Sequence, residues 1–165
     1  MAPAPDRSTR LPRGAARAWL GAAGVAVLVV VLDQLSKQLV RHSIPRGEER
    51  RFLPGVQLVD TRNHGVAFGF LPGGHAGVTI LIVLALAVLL VYFAFNADRP
   101  LIWIPTGMLI GGALGNVLDR LRYGSVTDFV KLPLGWPPFN LADASITLGV
   151  ILLFVFADRS RRSGQ

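Results

Sequence analysis

Residues 101–118 read LIWIPTGMLIGGALGNVL, a largely apolar stretch whose length approaches the about 20 residues that a helix needs to cross a bilayer. Gly107, Gly111 and Gly115 recur within it at every fourth position. Residues four apart lie on one face of a helix, so the three glycines form a stripe that lets a second helix approach closely. The stretch predicts a membrane-spanning helix with a closely packed neighbour.

Three further apolar runs of similar length occupy residues 18–40, 77–95 and 141–157. The chain as a whole is 52% hydrophobic and 16% charged, and its mean hydropathy is +0.49. A soluble domain of 165 residues would show short periodic apolar stripes rather than four near-continuous runs. The sequence therefore predicts an all-α polytopic membrane domain over residues 18–158, with four transmembrane helices and a small extracytoplasmic hairpin or loop subdomain.

The ends of the chain are predicted to be cytoplasmic tails. Residues 1–17, rich in proline, arginine and alanine, are predicted to be disordered, and residues 159–165 form the second tail. A cleaved signal peptide is the alternative for the first run, but no small-residue cleavage site follows it, so we interpret it as a retained signal anchor. Nothing in this pattern calls for a nucleic-acid partner, since the net charge of +7 is explained by membrane topology.

Topology follows from where the basic residues lie. Four spans place both termini on the same side, and the two sides then carry eight basic residues each. The first helix usually dominates orientation, and a cluster of arginines immediately before it favours a cytoplasmic amino terminus. This cluster comprises Arg7, Arg10, Arg13 and Arg17.

Several kinds of catalytic chemistry are excluded by composition and spacing. The chain contains no cysteine, which removes disulfides, thiol nucleophiles and thiolate-bound zinc. Its three histidines, His42, His64 and His75, lack the spacing of a metalloprotease motif. Ser36 and Lys37 are adjacent, so on a helix their side chains point about 100° apart and cannot act as a Ser/Lys pair. We expect neither a metal nor another cofactor.

Carboxylates remain, and two of them stand in short polar motifs at predicted membrane edges. Asp128 lies in Val126–Phe129, and Asp143 follows Asn140 in Phe139–Asp143. An ionisable side chain close to hydrocarbon is a functional hypothesis by default, and two convergent carboxylates can share one proton. Taken singly, Asp143 could be a helix N-terminal acid with Asn140 as N-cap, and Asp128 an ordinary loop acid.

Other polar residues have structural interpretations of their own. Asp33 and Lys37 are four apart, as in a helical salt bridge, and a structural role is favoured for that pair. Asp119 and Arg120 are interpreted first as an ion pair or capping group, and Asn116 lies on the same helix face as Arg120.

The outer segment between the first two spans is predicted to hold a small hairpin. Residues 56–61 are rich in β-formers, Asn63-His64-Gly65 is a turn signal, and residues 66–71 form a second extended run. A plain surface loop is the alternative. Residues 121–140 are predicted to be a second outer loop that carries Asp128.

Five of these motifs occur together in a fixed order. They are Asp33-x-x-x-Lys37, Asn63-His64-Gly65-Val66-Ala67-Phe68, residues 111–120 from Gly111 to Arg120, Val126-Thr127-Asp128-Phe129 and Phe139-Asn140-Leu141-Ala142-Asp143. Over residues 30–150 this pattern resembles the bacterial lipoprotein signal peptidase family, also called signal peptidase II. The segment between Asp128 and Asp143 is short for that family, which could alter substrate gating, and residues 1–17 extend beyond its usual start.

The resemblance implies an aspartyl endopeptidase of the bacterial cytoplasmic membrane, with its active site toward the extracytoplasmic face. It implies cleavage of diacylglyceryl-modified prolipoproteins just before the lipidated cysteine, by a protein that we expect to be a monomer in contact with membrane lipid. Asp128 and Asp143 stand at the catalytic positions of the family. The polar positions that line its substrate site are occupied here by Asn63, Asn116, Arg120 and Asn140.

Two other classes of function are considered. A small transporter or channel subunit would line a pathway with charges near the middle of the spans, whereas these charges cluster near helix ends. A Mg²⁺-dependent lipid-headgroup transferase would need several acids on adjacent helical turns. Asp119, Asp128 and Asp143 are too dispersed for that.

Overall fold

The computed structural model describes residues 13–64 and 74–162, which contain four helices and three strands. Four helices form a bundle, and three short strands form a sheet at one end of it. In chain order the elements are α1 (Arg13–Ser43), β1 (Glu49–Leu53), β2 (Val56–Asn63), α2 (Gly74–Asn96), α3 (Trp103–Tyr123), β3 (Val126–Lys131) and α4 (Leu141–Arg162).

Each helix contains most or all of one predicted apolar run, but only α4 begins at the predicted residue and none ends where its run was predicted to end. Residues 13–17 and 159–162, predicted to belong to the tails, are helical turns of α1 and α4. The other tail residues lie outside the described part of the chain. Within the described part, only α1 is long and apolar enough to span a membrane by length and composition, over Gly14–Ser43. Leu84–Asn96 and Leu141–Phe156 form shorter apolar helices, so the predicted count of four spans stays a prediction.

The glycine stripe of α3 brings this helix against α1, as the sequence predicted. A Cβ atom on Gly107 would lie 2.5 Å from the carbonyl oxygen of Ala22, and one on Gly111 would lie 2.7 Å from that of Ala26. Gly112, on a different face of α3, approaches the Ala142 carbonyl of α4 in the same way, at 2.6 Å. The absence of side chains at these positions is what allows the three backbones to approach so closely.

The distribution of polarity is the reverse of that in a soluble bundle. Large apolar side chains face outward on the helices, including Leu39, Val88 and Phe154, which are 68%, 69% and 73% exposed. The most deeply buried side chains include charged and polar ones, and Asp33, Lys37, Asp119, Asn140 and Thr127 have no exposed surface at all. An apolar exterior around a polar interior is typical of helices that face lipid.

The sheet departs from the predicted hairpin. β2 pairs antiparallel with β1, which precedes it in sequence, and Gly55 in the connecting turn has a φ of +79°. Asn63 is the last residue of β2 rather than a turn residue, and the predicted second run at residues 66–71 lies outside the described residues. β2 also pairs antiparallel with β3, so Asp128 lies on a strand and not on a loop. Sequence analysis missed β3 because its partner is about 65 residues away along the chain.

Two apolar clusters show how the helices are oriented. Ala18 and Ala22 near the start of α1 pack with Phe93 at the end of α2 and with Ile102 just before α3. At the other end of α1, Val40 and Ile44 pack against Phe129 of β3. α1 therefore runs from the end that carries the α2–α3 link toward the end that carries the sheet. The candidate site lies at the sheet end.

Candidate active site

Asp143 lies at the start of α4, where Asn140 and Asp143 cap each other. The Asn140 side-chain oxygen accepts the backbone N–H of Asp143 at 2.9 Å, and the Asp143 Oδ2 accepts the backbone N–H of Asn140 at 3.2 Å. This reciprocal arrangement satisfies two backbone donors that a helix amino terminus leaves without partners, as predicted for Asn140 as N-cap and Asp143 at the third helical position. It fixes Asp143 at the sheet end of the bundle.

Asp128 is held on β3 by its neighbour β2. Thr61 of β2 pairs with Asp128, and its hydroxyl donates to the Asp128 carbonyl oxygen at 2.9 Å. Asn63, two residues further along the same face of β2, reaches the carboxylate diagonally, with Nδ2 3.0 Å from Oδ2. The side chain is almost fully buried, at 3% exposed.

Burial changes the acidity of Asp128. Desolvation raises the pKa of its carboxyl to about 6, and the nearby Asp143 adds to the increase. Hydrogen bonds donated by Asn63 and Asn140 lower this pKa, as does the positive charge of Lys37, but they do not cancel the effect of burial. Asp128 thus keeps a proton to a higher pH than an ordinary aspartate.

Two asparagines connect the aspartates. Asn140 Nδ2 donates to Asp128 Oδ1 at 2.6 Å and to Asn116 Oδ1 at 3.2 Å. Asn116 Nδ2 donates in turn to Asp143 Oδ1 at 2.8 Å. Asn140 contacts both aspartates, one through its side chain and the other through its backbone. The structure therefore brings Asp128, Asp143, Asn116, Asn140 and Asn63 together around one site.

A buried group of charges lies next to the asparagines. Lys37 Nζ is 2.8 Å from Asp33 Oδ2, as predicted for an i, i+4 pair, and it is also 3.4 Å from Asp119 Oδ2. Asp33 Oδ1 accepts the backbone N–H of Ala142, and Asp119 Oδ2 accepts that of Thr127. These two carboxylates therefore anchor the residues that immediately precede Asp143 and Asp128.

Asp119 and Arg120 do not form the predicted pair in the structure. The ion-pair partners of Asp119 are Lys37 and Arg41, both on α1. Arg120 donates from Nη1 to the Asn116 carbonyl oxygen at 3.2 Å, and its buried Nε has no hydrogen-bond partner among the described residues. One buried donor of its guanidinium therefore stays unsatisfied within this part of the chain.

Sequence analysis did not single out three of the residues that hold the site. Gln34 donates to Asp33 and Asp119, Arg62 donates to the Thr127 hydroxyl at 2.7 Å, and Arg41 stacks on the Tyr123 ring at 4.3 Å. Arg41 lies four residues after Lys37, so helical spacing could have placed it on the same face of α1, whereas no such spacing relates Gln34 to the adjacent Asp33. Arg62 could not have been found, because its contact depends on the β2–β3 pairing.

The chemistry that this arrangement can perform is general acid–base catalysis by two carboxylates. One is a buried aspartate that favours its protonated form, and the other lies at a helix amino terminus. Within residues 13–64 and 74–162, no three histidine, aspartate or glutamate side chains come together in a way that could hold a metal ion. The charges gather where β3 and α4 begin, away from the middle of the bundle, which does not fit a transport pathway.

Comparison with known proteins was made on both sequence and structure. The sequence profile of the Signal peptidase (SPase) II family matches residues 25–158. The chain is 36% identical to the lipoprotein signal peptidase of Halothermothrix orenii, over 86% of this chain and 97% of that one. It is 38% identical to the lipoprotein signal peptidase of Paraburkholderia phymatum, over 96% and 98% of the two chains.

The fold has solved counterparts as well. A bacterial membrane enzyme determined by the in meso method at 1.9 Å resolution superimposes with a TM-score of 0.67 and 28% sequence identity, over 81% of this chain and 90% of that one. A second bacterial membrane enzyme structure, at 2.3 Å resolution, superimposes with a TM-score of 0.68 and 27% identity.

Proposed function

Because this chain belongs to the signal peptidase II family, whose members are aspartic-type proteases that remove signal peptides from prolipoproteins, we propose that Asp128 and Asp143 are its catalytic dyad. The observation that carries this proposal is the shared use of Asn140, which donates to Asp128 through its side chain and to Asp143 through its backbone. A common partner holds the two carboxylates near each other, as the proposed joint action of one acid and one base on a water molecule and a peptide bond requires.

The two aspartates take different roles in the proposed reaction. Asp143, ionised and supported by the amino terminus of α4, removes a proton from water, and the resulting hydroxide attacks the scissile carbonyl carbon. Asp128, which keeps its proton up to about pH 6 because burial raises its pKa, donates a hydrogen bond to the carbonyl oxygen as negative charge develops there. The carbon–nitrogen bond then breaks, and the proton held by Asp143 passes to the leaving amine.

Substrate contacts are proposed for the surrounding polar residues. Asn63 and Asn140 hold Asp128, and Asn116 holds Asp143. The guanidinium of Arg120 is close enough to both aspartates for its charge to interact with theirs, which supports a substrate-contacting role for it beside the dyad.

An apolar groove supports the proposal that the substrate carries acyl chains. A cavity of about 340 Å³ between α2, α3 and α4 is lined almost entirely by aliphatic side chains. Ala113 and Ile146 in its wall lie three residues from Asn116 and Asp143, about one helical turn from the site. A diacylglyceryl group on the cysteine after the cleavage point could rest there while the peptide reaches the dyad.

The membrane arrangement is part of the same proposal. The arrangement has four spans, both termini in the cytoplasm and the dyad at the extracytoplasmic face of the bacterial inner membrane. It agrees with the apolar exterior and with the arginines that precede and begin α1. We also propose that the enzyme acts as a monomer, since one chain supplies every residue of the site described above.

Replacement of each aspartate by asparagine tests the proposed dyad. Asp128→Asn and Asp143→Asn keep the shape of the side chain but remove the acid or base, so each should lower cleavage of a diacylglyceryl-modified prolipoprotein by at least about a hundredfold. Asp98→Asn is the matched control, because Asp98 is exposed in the α2–α3 link at the opposite end of the bundle. Substantial activity in either dyad variant would overturn the assignment.

The same assay tests the substrate class. Wild-type protein should cleave the diacylglyceryl-modified precursor and leave the unmodified precursor largely intact. Equal rates on both precursors would overturn the role given to the apolar groove without affecting the dyad.

A further inference from the structure

Lys37 is a buried cation that no step of the proposed hydrolysis uses. Its ammonium group has no exposed surface and contacts Asp33 at 2.8 Å and Asp119 at 3.4 Å. Two carboxylates are more than enough to neutralise one positive charge. The ammonium nevertheless makes a third contact, a hydrogen bond of 3.0 Å to Asn116 Oδ1, which charge neutralisation does not explain.

This third contact determines which way the Asn116 amide points. A lysine ammonium group has donors only, so the atom of Asn116 that faces Lys37 must be the oxygen. The Asn116 nitrogen is then directed at Asp143 Oδ1, 2.8 Å away. The opposite amide orientation would place the Asn116 oxygen against the Asp143 carboxylate and its nitrogen against the ammonium.

The same orientation extends to the second aspartate. Because Asn116 Oδ1 faces inward, it also accepts a hydrogen bond from Asn140 Nδ2 at 3.2 Å. Asn140 is thereby held with the same nitrogen toward Asp128 Oδ1, at 2.6 Å. One ammonium group sets the direction of two side-chain amides, and these amides point their donors at both aspartates.

We propose that Lys37 is a positioning residue for peptide hydrolysis, which locks the Asn116 amide and, through it, the hydrogen bonds that orient Asp143 and Asp128. This proposal rests on the dyad proposed above, but Lys37 itself contacts neither Asp128 nor Asp143. Asp33 and Asp119 hold Lys37 in place and offset its charge. Their contribution is to stability, and the contribution of Lys37 is to the geometry of the reacting groups.

Kinetic comparison of Lys37→Met with wild type is the first part of the test. Methionine fills a similar volume but cannot donate a hydrogen bond, so kcat should fall by about a hundredfold while KM changes little, as expected when reacting groups are misplaced. Lys131→Met is the matched control, since it removes the same charge from an exposed pair with Glu49 on the sheet. A kcat of Lys37→Met within about twofold of wild type would overturn the proposal.

A double-mutant cycle separates positioning from loss of folded protein. If Lys37 acts through Asn116, then Lys37→Met should lower kcat by no more than about twofold in an Asn116→Leu background, because the connection is already broken. A role confined to stability would reduce the amount of active enzyme by the same factor in both backgrounds. Additive losses would therefore overturn the proposal.

A charge-balanced variant covers the case in which Lys37→Met fails to fold. Asp33→Asn with Lys37→Met removes one charge of each sign, and the asparagine oxygen can still accept the Ala142 N–H. This protein should fold and still show the loss of about a hundredfold in kcat. Recovery of wild-type kcat would show that only charge balance matters and would overturn the proposal.

The pH profile supplies a readout that does not depend on the amount of folded enzyme. Lys37 is one of the charges that lower the pKa of Asp128, so its removal should move the alkaline limb of kcat/KM to higher pH. If the alkaline limb of kcat/KM stays at the wild-type pH, the proposal is wrong.

The charged groups that face this region are Asp33 and Arg41 of α1, Asp119 and Arg120 of α3, Asp128 of β3 and Asp143 of α4. If Asp128→Asn retains activity, the proposed dyad itself is wrong. If Asp128→Asn is inactive but the losses from Lys37→Met and Asn116→Leu are additive, the dyad stands and only the role proposed for Lys37 is wrong.

Discussion

Asn140 and Asp143 exchange hydrogen bonds at the first turn of α4, each accepting the backbone N–H of the other through a side-chain oxygen. The side-chain nitrogen of Asn140, which takes no part in the cap, donates a hydrogen bond of 2.6 Å to Asp128 Oδ1. The residue that begins the helix is therefore also the residue that joins the two aspartates. Helix stability and the geometry of the site depend on different atoms of one side chain, so substitution can separate them.

Asn140→Ser and Asn140→Ala should differ in a way that separates these two roles. Serine can still cap α4 but cannot reach Asp128, so kcat should fall by about a hundredfold with little change in Tm. Alanine should lose the same activity and, in addition, about 1 kcal/mol of stability. Thermal unfolding in detergent and cleavage assays on both variants check this. Full activity in the serine variant would contradict the role given to the amide nitrogen.

Activity should depend on pH through the dyad. The free enzyme needs Asp143 ionised and Asp128 protonated, so kcat/KM should follow a bell-shaped curve. Its alkaline limb should have an apparent pKa of about 6, because burial raises the pKa of Asp128 to that value. Initial rates measured across a pH series would reveal this. A rate that keeps increasing into alkaline pH, with the protein still folded, would exclude a shared proton.

Stability should also depend on pH through Asp128. Its pKa is raised from 3.8 to about 6 on folding, so the penalty for burying its charge is absent below pH 3.8 and fully present above pH 6. A shift of this size corresponds to about 3 kcal/mol. As pH rises through this window, Asp128→Asn should gain in stability relative to wild type. Parallel Tm measurements at several pH values test this, and a constant difference would contradict it.

Close contact between α1 and α3 should be sensitive to a single methyl group. A Cβ on Gly111 would lie 2.7 Å from the Ala26 carbonyl oxygen and 2.8 Å from Val29 Cβ, so Gly111→Ala should force the helices apart and lower Tm by several degrees. Gly24→Ala is the control on α1, since nothing lies within 4 Å of its added Cβ and alanine favours a helix. Equal Tm values for the two variants would argue against the packing described here.

Chelators and thiol reagents should leave activity unchanged. The proposed mechanism uses only carboxylates and water, and the chain has no cysteine for a thiol reagent to modify. Cleavage assays with EDTA and with an alkylating reagent check this expectation. Loss of activity in EDTA that is restored by added Zn²⁺ or Mg²⁺ would instead indicate a metalloenzyme.

The sequence predicted the helices well because their signals are local. Apolar runs near bilayer length and the spacing of Gly107 and Gly111 depend only on neighbouring residues. The cap formed by Asn140 and Asp143 was predictable for the same reason. The candidate dyad was suggested by two carboxylates in polar motifs at predicted membrane edges and by the family resemblance; the comparisons confirm the family, and the dyad remains a prediction for this chain.

Contacts between distant parts of the chain could not be predicted in the same way. β3 is recognisable only once β2 is beside it, so Asp128 was assigned to a loop. Asp119 pairs across the α1–α3 interface with Lys37 rather than with Arg120, because adjacent side chains on a helix point about 100° apart. Pairings of this kind depend on tertiary packing, which no short stretch of sequence encodes.

The pair formed by Asp33 and Lys37 has a consequence for biosynthesis. Translation proceeds from the amino terminus, so α1 reaches the membrane before Asp119 on α3 has been made. An isolated lysine in that helix would be costly to insert. Because its first counterion is one turn away on the same helix, at 2.8 Å, α1 can enter the bilayer with this charge already neutralised. Asp119 and Asn116 then join a lysine that has been in place since the first helix was inserted.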